Sequence, residues 1–596
     1  MRSCNDIIRR RIFVQSFFVI IFFGYLVTTL YGVQVVRHDE YYKEARKKYV
    51  VKTKLKGSRG QVYDFNGNLL IGNMPRQDVT ITPCNIKPQQ DSVLAQILAE
   101  ELNLDYNEVL VKVSRKTRSD TDKNGKLLVR PVKYALITNA ITLDAAASLQ
   151  RRLKEAELDR NVHFEDTFVR FYPKGRFLSN VLGLTAPDHG GTTGIERIFE
   201  EKLRSASGSK TYMRTPDGKQ IGDAPIAEKS SHNGADFYLT IQEPLQSILE
   251  EEIDKACEQW NPKAAYAVLL DPYTGNVLAM TERPTYNPNE RKDLDGGLFR
   301  LRSIDEYFEP GSIMKPLTVA GALQHKVITP STRIDCGSSV WYYGGKALTD
   351  THGYGMQDIT GVIRKSSSIG TAKIALKMGK RRLFLTLDSF GLGKPTGLPL
   401  QPEKNGVLLP VNKWDGLSIT RLCIGYSVSC TPVQMARAYC ALASRGKLPK
   451  LRLVDRMRDP VSGKVTKFEI ENPVEIFDRK VGDQVVNMMV AVTEKGGTAT
   501  RAAIPGYRVA GKTGTSYKLI PGKGYSKTDR FTSFAGFVPA EKPAFVLLVM
   551  LDSPQYKNNP KKPTFGGSVA APVWKNIATR VLKYMNIAPT VPVASK

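Results

Sequence analysis

The sequence predicts an α+β protein on a membrane tether. It should have a large C-terminal domain with a central antiparallel sheet flanked by helices, an N-terminal mixed α/β module, and one transmembrane helix. Three observations lead there. "AAYAVLLDPYTGNVLAM" reads as a strand, an Asp-Pro-Tyr-Thr-Gly turn and a returning strand. Two further β runs, "VAGKTGT" and "AFVLLVMLD", follow much later with helical stretches between, and strands that bracket helices in this way place the helices on one antiparallel sheet. An uncharged apolar run near the N-terminus supplies the tether. At 596 residues the chain is too long for one core.

Taken in order, Arg9, Arg10 and Arg11 precede Ile12 to Val33, about 22 mainly apolar residues without a charge, enough to span a bilayer. A cleavable signal would have a shorter apolar core and a small-residue site after it, whereas Tyr31, Gln34 and Arg37 follow here. The run reads as an uncleaved anchor at 12–33. The arginines hold residues 1–11 in the cytoplasm and place the bulk of the chain outside. A buried core helix is the competing reading, and the arginine cluster against an uncharged span speaks against it.

Residues 34–235 form a basic, mixed module. "VVKTKL" and "QDVTITP" are β-like, "DSVLAQILAEEL" is helical, and "SRGQVYDFNGNLL" reads as strand, Asn-Gly turn, strand. "RSDTDKNGK" reads as an exposed loop insertion. Nothing here has catalytic spacing, so the module reads as a spacer or docking pedestal. Residues 236–586 form the second domain. It opens with a β run and a long amphipathic helix, continues through helices from Ser312, Leu376 and Pro432, and closes with the two β runs. The tail 587–596, "APTVPVASK" in its last nine residues after Ile587, reads as disordered.

Charge and cysteines narrow the function classes. Lys+Arg 86 against Asp+Glu 58 gives +28, a balance that attracts polyanions, yet no nucleic-acid motif accompanies it. The seven cysteines show no CxxC pair and no metal-ligand spacing with the six histidines, so no metal site is expected. They read as free thiols for the most part, with a disulfide left open. His352 in "DTHGYG" reads as a structural loop residue. "SSVWYYGGK" is open to loop or strand packing and to substrate contact.

The chemistry gathers in three short motifs in one domain: "SIMK" (Ser312, Lys315), "KSSSIG" (Ser366 to Ser368) and "GKTGT" (Lys512 to Thr515). Ser312 follows Glu-Pro-Gly at a helix start, where a serine serves as a cap or as a nucleophile. A second Ser-x-x-Lys, Ser207 to Lys210, lies in a polar stretch without such a setting. On a helix, i and i+3 share a face, which brings the Lys315 ammonium toward the Ser312 hydroxyl. For Lys315 to act as base its pKa must fall from about 10.4, through desolvation and a second cation, for which Lys512 is the natural choice. The KTG segment reads as an edge strand whose bare Gly514 admits a substrate backbone. The N–H groups of Ser312 and Thr515 are candidates for a two-donor oxyanion hole.

In this order the motifs match the Ser-x-x-Lys, Ser-x-Asn and Lys-Thr-Gly set of penicillin-binding proteins and serine β-lactamases. The flanking text "YFEPGSIMKPLTVAGAL", "DTHGYGMQDITGVIRKSSSIGTAKIALKMG", "IGYSVSCTPVQMARAYCALAS" and "GGTATRAAIPGYRVAGKTGTSYK" resembles the class B penicillin-binding proteins, monofunctional D,D-transpeptidases of bacterial peptidoglycan. Upstream, "SRGQVYDFNGNLL", "RFYPKGRFLSNVLGL" and "GGTTGIERIFE" resemble that family's pedestal, so the likeness covers nearly the whole chain.

The resemblance implies catalytic roles for Ser312, Lys315, Ser366 and Lys512, and substrate binding by Ser368, Thr513, Gly514 and Thr515. It implies no cofactor and no metal. Implied partners are stem peptides (a D-Ala-D-Ala donor and an amine acceptor), β-lactams, a SEDS-type glycan polymerase and other division proteins, with no nucleic acid. The implied place is the bacterial cytoplasmic membrane, single-pass, with the domains on the outer side, and the wording favours the septal over the elongation type. One departure stands out: the family usually has Ser-Ser-Asn, and Ser368 replaces the asparagine with a shorter arm and fewer donors. A catalytically weak scaffold of the division complex is therefore the alternative. A β-lactam sensor is disfavoured by the short cytoplasmic tail.

Overall fold

The computed structural model describes residues 4–121, 125, 127–186, 190–215, 220–221, 227–290, 296–520, 522–560 and 562–592. The chain divides into two compact units: Met1–Ser58 with Ser205–Asn233, and Arg59–Arg204 with Gly234–Lys596.

In the first unit, a helix over Cys4–Tyr31 continues into a π turn over Gly32–Val36. The stretch Asp6–Val36 is long and apolar enough to cross a membrane, with a mean hydropathy of 2.0 and none of its apolar window buried. Apolar side chains that pack on nothing, such as Phe13 at 76% exposure, are what a lipid-facing anchor requires. The same unit pairs Val50–Leu55, the expected "VVKTKL" strand, with Gly208–Arg214.

The second unit carries two large sheets besides several two-stranded ones. One runs Val465–Lys467, Val454–Arg458, Asp236–Leu239, Val62–Tyr63, Leu69–Ile81 and Ala135–Ile141, with Val162–Phe171 also on Leu69–Ile81. It joins strands from either side of residue 235. "SRGQVYDFNGNLL" contributes the expected strand, turn and strand, and "DSVLAQILAEEL" is a helix over Asp91–Leu102. The stretch expected as a loop insertion, 118–126, is in part a hairpin strand: Thr117–Thr121 pairs with Leu127–Pro131. The alternation of Thr and charged residues there suits a solvent-exposed ribbon. Residues 122–124 and 126 lie outside the described residues.

The second sheet is the one the sequence predicts. Helix α1 (Glu243–Trp260) leads into strands β1 (Ala264–Leu270) and β2 (Val277–Arg283), the Asp-Pro-Tyr-Thr-Gly hairpin. Far along the chain β3 (Ala510–Ile520), β4 (Gly524–Val538) and β5 (Phe545–Asp552) complete it in the order β2-β1-β5-β4-β3, antiparallel throughout. Strands β1, β2 and β5 are buried at every residue. A sheet so apolar on both faces needs cover on both. Helix α1 and the C-terminal helix Ala570–Tyr584 pack on each other and on the sheet, while Lys315–Gln324, Pro432–Ala443 and Arg479–Val490 form the other packed group. The β3 strand with the KTG motif is the edge, as expected.

The tail differs from its expectation over its described part. Tyr507 donates to the Ile587 carbonyl at 2.6 Å, and the N–H groups of Thr590 and Val591 donate to the Gly506 carbonyl. These bonds hold residues 587–592 on the domain, and 593–596 lie outside the described residues.

Candidate active site

Ser312 sits in a 3₁₀ turn, Gly311–Met314, that runs straight into the helix Lys315–Gln324. Neither segment has a side-chain cap, so the capping reading of Ser312 does not hold. The turn is pinned on several sides. Gly311 has φ +57°, donates to the Gly425 carbonyl at 3.0 Å, and would place any Cβ 3.1 Å from both the Thr515 carbonyl and the Ser516 Cβ. Only glycine accepts that conformation without strain. The buried Tyr439 hydroxyl donates to the Ile313 carbonyl at 2.9 Å. The turn is thereby pressed against β3.

Ser366 lies in the connection between the helices Ile359–Arg364 and Ser368–Met378. Its φ is +59°, a conformation that non-glycine residues rarely adopt and that tends to mark functional positions. Ser367 is fully buried and caps the second helix by accepting from the Gly370 N–H. This loop takes up Lys315, whose Nζ donates to the Ser366 carbonyl at 2.5 Å and lies 3.3 Å from the Ser366 Oγ and 3.1 Å from the Ser368 Oγ. Lys512 on β3 reaches the same hydroxyl from the other side, with its Nζ 2.8 Å from the Ser366 Oγ. All three motifs thus meet around one serine side chain.

Three sequence expectations change at this point. The i, i+3 relation was expected to pair Lys315 with Ser312. Among the described residues the Ser312 hydroxyl has no hydrogen bond, and the Lys315 ammonium is taken up by Ser366 and Ser368. Ser368 was assigned to substrate alone, yet its hydroxyl is a partner of Lys315. Desolvation and Lys512 together were expected to depress the Lys315 pKa, and burial alone does so: Lys315 is fully enclosed, and desolvation lowers its pKa to about 8 against a partly opposing pull from the Asp350 carboxylate. The repulsion between the two lysines is felt at Lys512, which burial and then Lys315 push well below the usual lysine range. Two buried lysines in contact with one hydroxyl favour a state in which only one of them is charged.

Along β3, Thr513 faces Thr498, with their hydroxyls 3.0 Å apart, and the Thr515 hydroxyl accepts from the Gly566 N–H at 3.1 Å. Gly514 is also required by packing. A Cβ there would meet the Ser533 Oγ of β4 at 2.2 Å, the Ile313 Cγ2 at 3.0 Å and the Pro310 carbonyl at 3.3 Å, so packing of β4 and of the Ser312 turn on the strand excludes a side chain. Gly514→Ala should cost about 1–3 kcal/mol of stability by overpacking. Thermal unfolding checks this, and an unchanged midpoint would contradict it.

Asp350 is the residue that sequence reasoning missed. Its carboxylate accepts from the Ser367 hydroxyl and from the Ser368 N–H, each at 2.5 Å, and so fixes the loop that holds Lys315. It lay in plain view in "DTHGYG", but nothing local marks a carboxylate as the partner of a loop beyond a strand and a helix. His352 is exposed and stacks edge-on near Tyr354, and among the described residues no group of His, Cys, Asp or Glu could hold a metal. Cys84, Cys257, Cys336, Cys423, Cys430 and Cys440 are free thiols, the last four buried. The aromatic segment forms a hairpin, Val340–Tyr343 with Lys346–Thr349.

The chain resembles known proteins along most of its length. The profile of the penicillin binding protein transpeptidase domain matches residues 265–579, and that of the penicillin-binding protein dimerisation domain matches residues 54–239. The chain is 29% identical to the peptidoglycan D,D-transpeptidase FtsI of Escherichia coli K12, over 96% of this chain and 91% of that one. It is 28% identical to the stage V sporulation protein D of Bacillus subtilis, over 99% and 88%. The crystal structure of penicillin binding protein 2X from Streptococcus thermophilus superposes with a TM-score of 0.71 at 22% identity, covering 90% of this chain and 80% of that one, which is a likeness of fold. With a transpeptidase domain over more than half its length and a dimerisation domain before it, the chain belongs to the class B penicillin-binding proteins.

Proposed function

We propose that the chain is a membrane-anchored peptidoglycan D,D-transpeptidase that cross-links stem peptides through an acyl-enzyme on Ser312, is blocked by β-lactams, and serves septal wall synthesis. The observation that carries this reading is the Ser366 hydroxyl held between two buried lysines, one from each of the other two motifs, beside the turn that bears Ser312. The FtsI relative supports the reaction and the septal setting.

Ser312 attacks the carbonyl between the two terminal D-alanines, and neutral Lys315 takes its proton. With a pKa of about 8 rather than 10.5, about a tenth of Lys315 is neutral at pH 7, against about one part in three thousand for an ordinary lysine. The tetrahedral oxygen lies between the N–H groups of Ser312 and Thr515. Lys512, Thr513 and Thr515 hold the terminal carboxylate, with Gly514 leaving the strand slim enough to lie against the turn. Ser366, which contacts both lysines, relays a proton to the departing D-alanine. Ser368 steadies Lys315 and faces the substrate side chain. An amine from a second stem then takes the acyl group and regenerates Ser312.

The direct test of the reaction is release of D-alanine and amine-dependent product from a D-Ala-D-Ala peptide by the purified full chain. A preparation that acylates with penicillin yet never turns over such a peptide would contradict the enzyme and favour the scaffold reading.

The anchor orientation follows from Arg9 to Arg11, which keep the N-terminus cytoplasmic and place 34–235, the pedestal, and 236–586, the transpeptidase domain, on the outer side. A SEDS-type polymerase and other division proteins are the partners this arrangement suits. Cysteines introduced after Gln34 should react with a membrane-impermeant thiol reagent on spheroplasts. Protection of those sites until lysis would overturn the orientation.

A further inference from the structure

Past Thr515, strand β3 runs on through Tyr517, Lys518 and Leu519, and there it forms one wall of a cleft of about 330 Å³. The segment Glu306 to Glu309, which leads into the turn of Ser312, forms another wall. Tyr307, Tyr517 and Leu519 are all large and exposed at this place.

Glu309 is the feature that packing does not explain. One oxygen accepts from the Ser427 N–H at 2.7 Å and from the Tyr525 hydroxyl at 3.1 Å, while Oε2 is buried and accepts no hydrogen bond among the described residues. Burial raises its pKa. The cation in the cleft, Lys518, is already paired with Asp552 at 2.6 Å. A half-buried carboxylate without a cationic partner is costly unless something compensates it.

We propose that this cleft is a subsite for an aliphatic primary ammonium carried by the peptide substrate, with Glu309 as its counter-ion. The inference rests on the transpeptidase reading. Cross-linking ends with attack by a primary amine, so any stem able to act as acceptor carries one, and a donor of the same kind carries it too until that amine has reacted. The ammonium in the cleft belongs either to the donor's own branch or to the incoming acceptor. It takes over the place of the Tyr525 hydroxyl and supplies the donor that Oε2 lacks, while its methylene arm lies along Tyr307, Tyr517 and Leu519.

The test uses the full chain in detergent and two ratios, each internal to one enzyme. The first is kcat/KM for a D-Ala-D-Ala peptide with a free side-chain amine over that for its N-acetylated form. The second is the partition of an acyl-enzyme, formed from an amine-free thioester, between an added peptide amine and water. A donor site gives a first ratio of about ten or more in the wild type that falls toward one in Glu309→Gln, as expected for one charge-assisted hydrogen bond. An acceptor site gives the same fall in the second ratio instead. If Glu309→Gln does not fold, Glu309→Asp, which retracts the charge, should lower the same ratio in part. Ratios that do not move in the folded variant overturn the inference. Failure of the wild type to take a penicillin label in the same preparation overturns the transpeptidase reading itself.

Discussion

Ser312→Ala abolishes covalent labelling by a fluorescent penicillin, and Ser207→Ala leaves it intact. Both serines head a Ser-x-x-Lys sequence, and the structure separates them sharply. Lys315 is fully buried with its pKa lowered to about 8, whereas Lys210 is part-exposed and paired with Glu228 at 3.2 Å. Ser312 stands against the strand with the KTG motif, and Ser207 precedes a strand of the other unit. Gel fluorescence of the three proteins at equal loading reads the outcome. Equal labelling of wild type and Ser312→Ala would remove the proposed nucleophile.

Lys315→Met should lower the second-order acylation rate by about 10²- to 10⁴-fold, the usual worth of a positioned general base. The variant should still fold, because methionine fills much of the lysine's volume and the desolvation of a buried cation is relieved. The pH dependence has a definite sign. The base acts in its neutral form, so the wild-type rate rises with pH and levels off above the Lys315 pKa of about 8. A lysine left near 10.5 would have the rate still climbing at about pH 9. Rapid-quench acylation kinetics across this range check both points. A rate that is flat with pH, or a methionine variant as fast as the wild type, would assign the base elsewhere.

How far the sequence reveals these features depends on whether the information is local. The hairpin of β1 and β2, the helix Asp91–Leu102 and the edge position of the KTG strand were legible because period, turn residues and a bare glycine sit within a few positions of one another. Strand β4 was not, since its first half, "GYSKTDR", is polar with a leading glycine and gains its strand form by pairing with β3. The sheet that joins Val62–Tyr63 to Phe237–Tyr238 was equally hidden: a two-residue strand carries no period to read.

The site divides along the same line. Which residues take part was readable from motif order, but how they are joined was not. The helical spacing of Ser312 and Lys315 pointed to a bond between them, while the enclosed Lys315 turns to the loop of Ser366 and Ser368, where a carbonyl and two hydroxyls satisfy it better than one hydroxyl would. The hold of Asp350 on that loop is a product of tertiary enclosure.

The central claim, that Ser312 is the acylated nucleophile, is met most directly by mass spectrometry of the full-length wild-type chain after reaction with a penicillin. The intact protein should gain the mass of one intact penicillin, and digestion should place it on the peptide that contains Ser312. A label on any other peptide, or no adduct on a folded protein, would contradict the account.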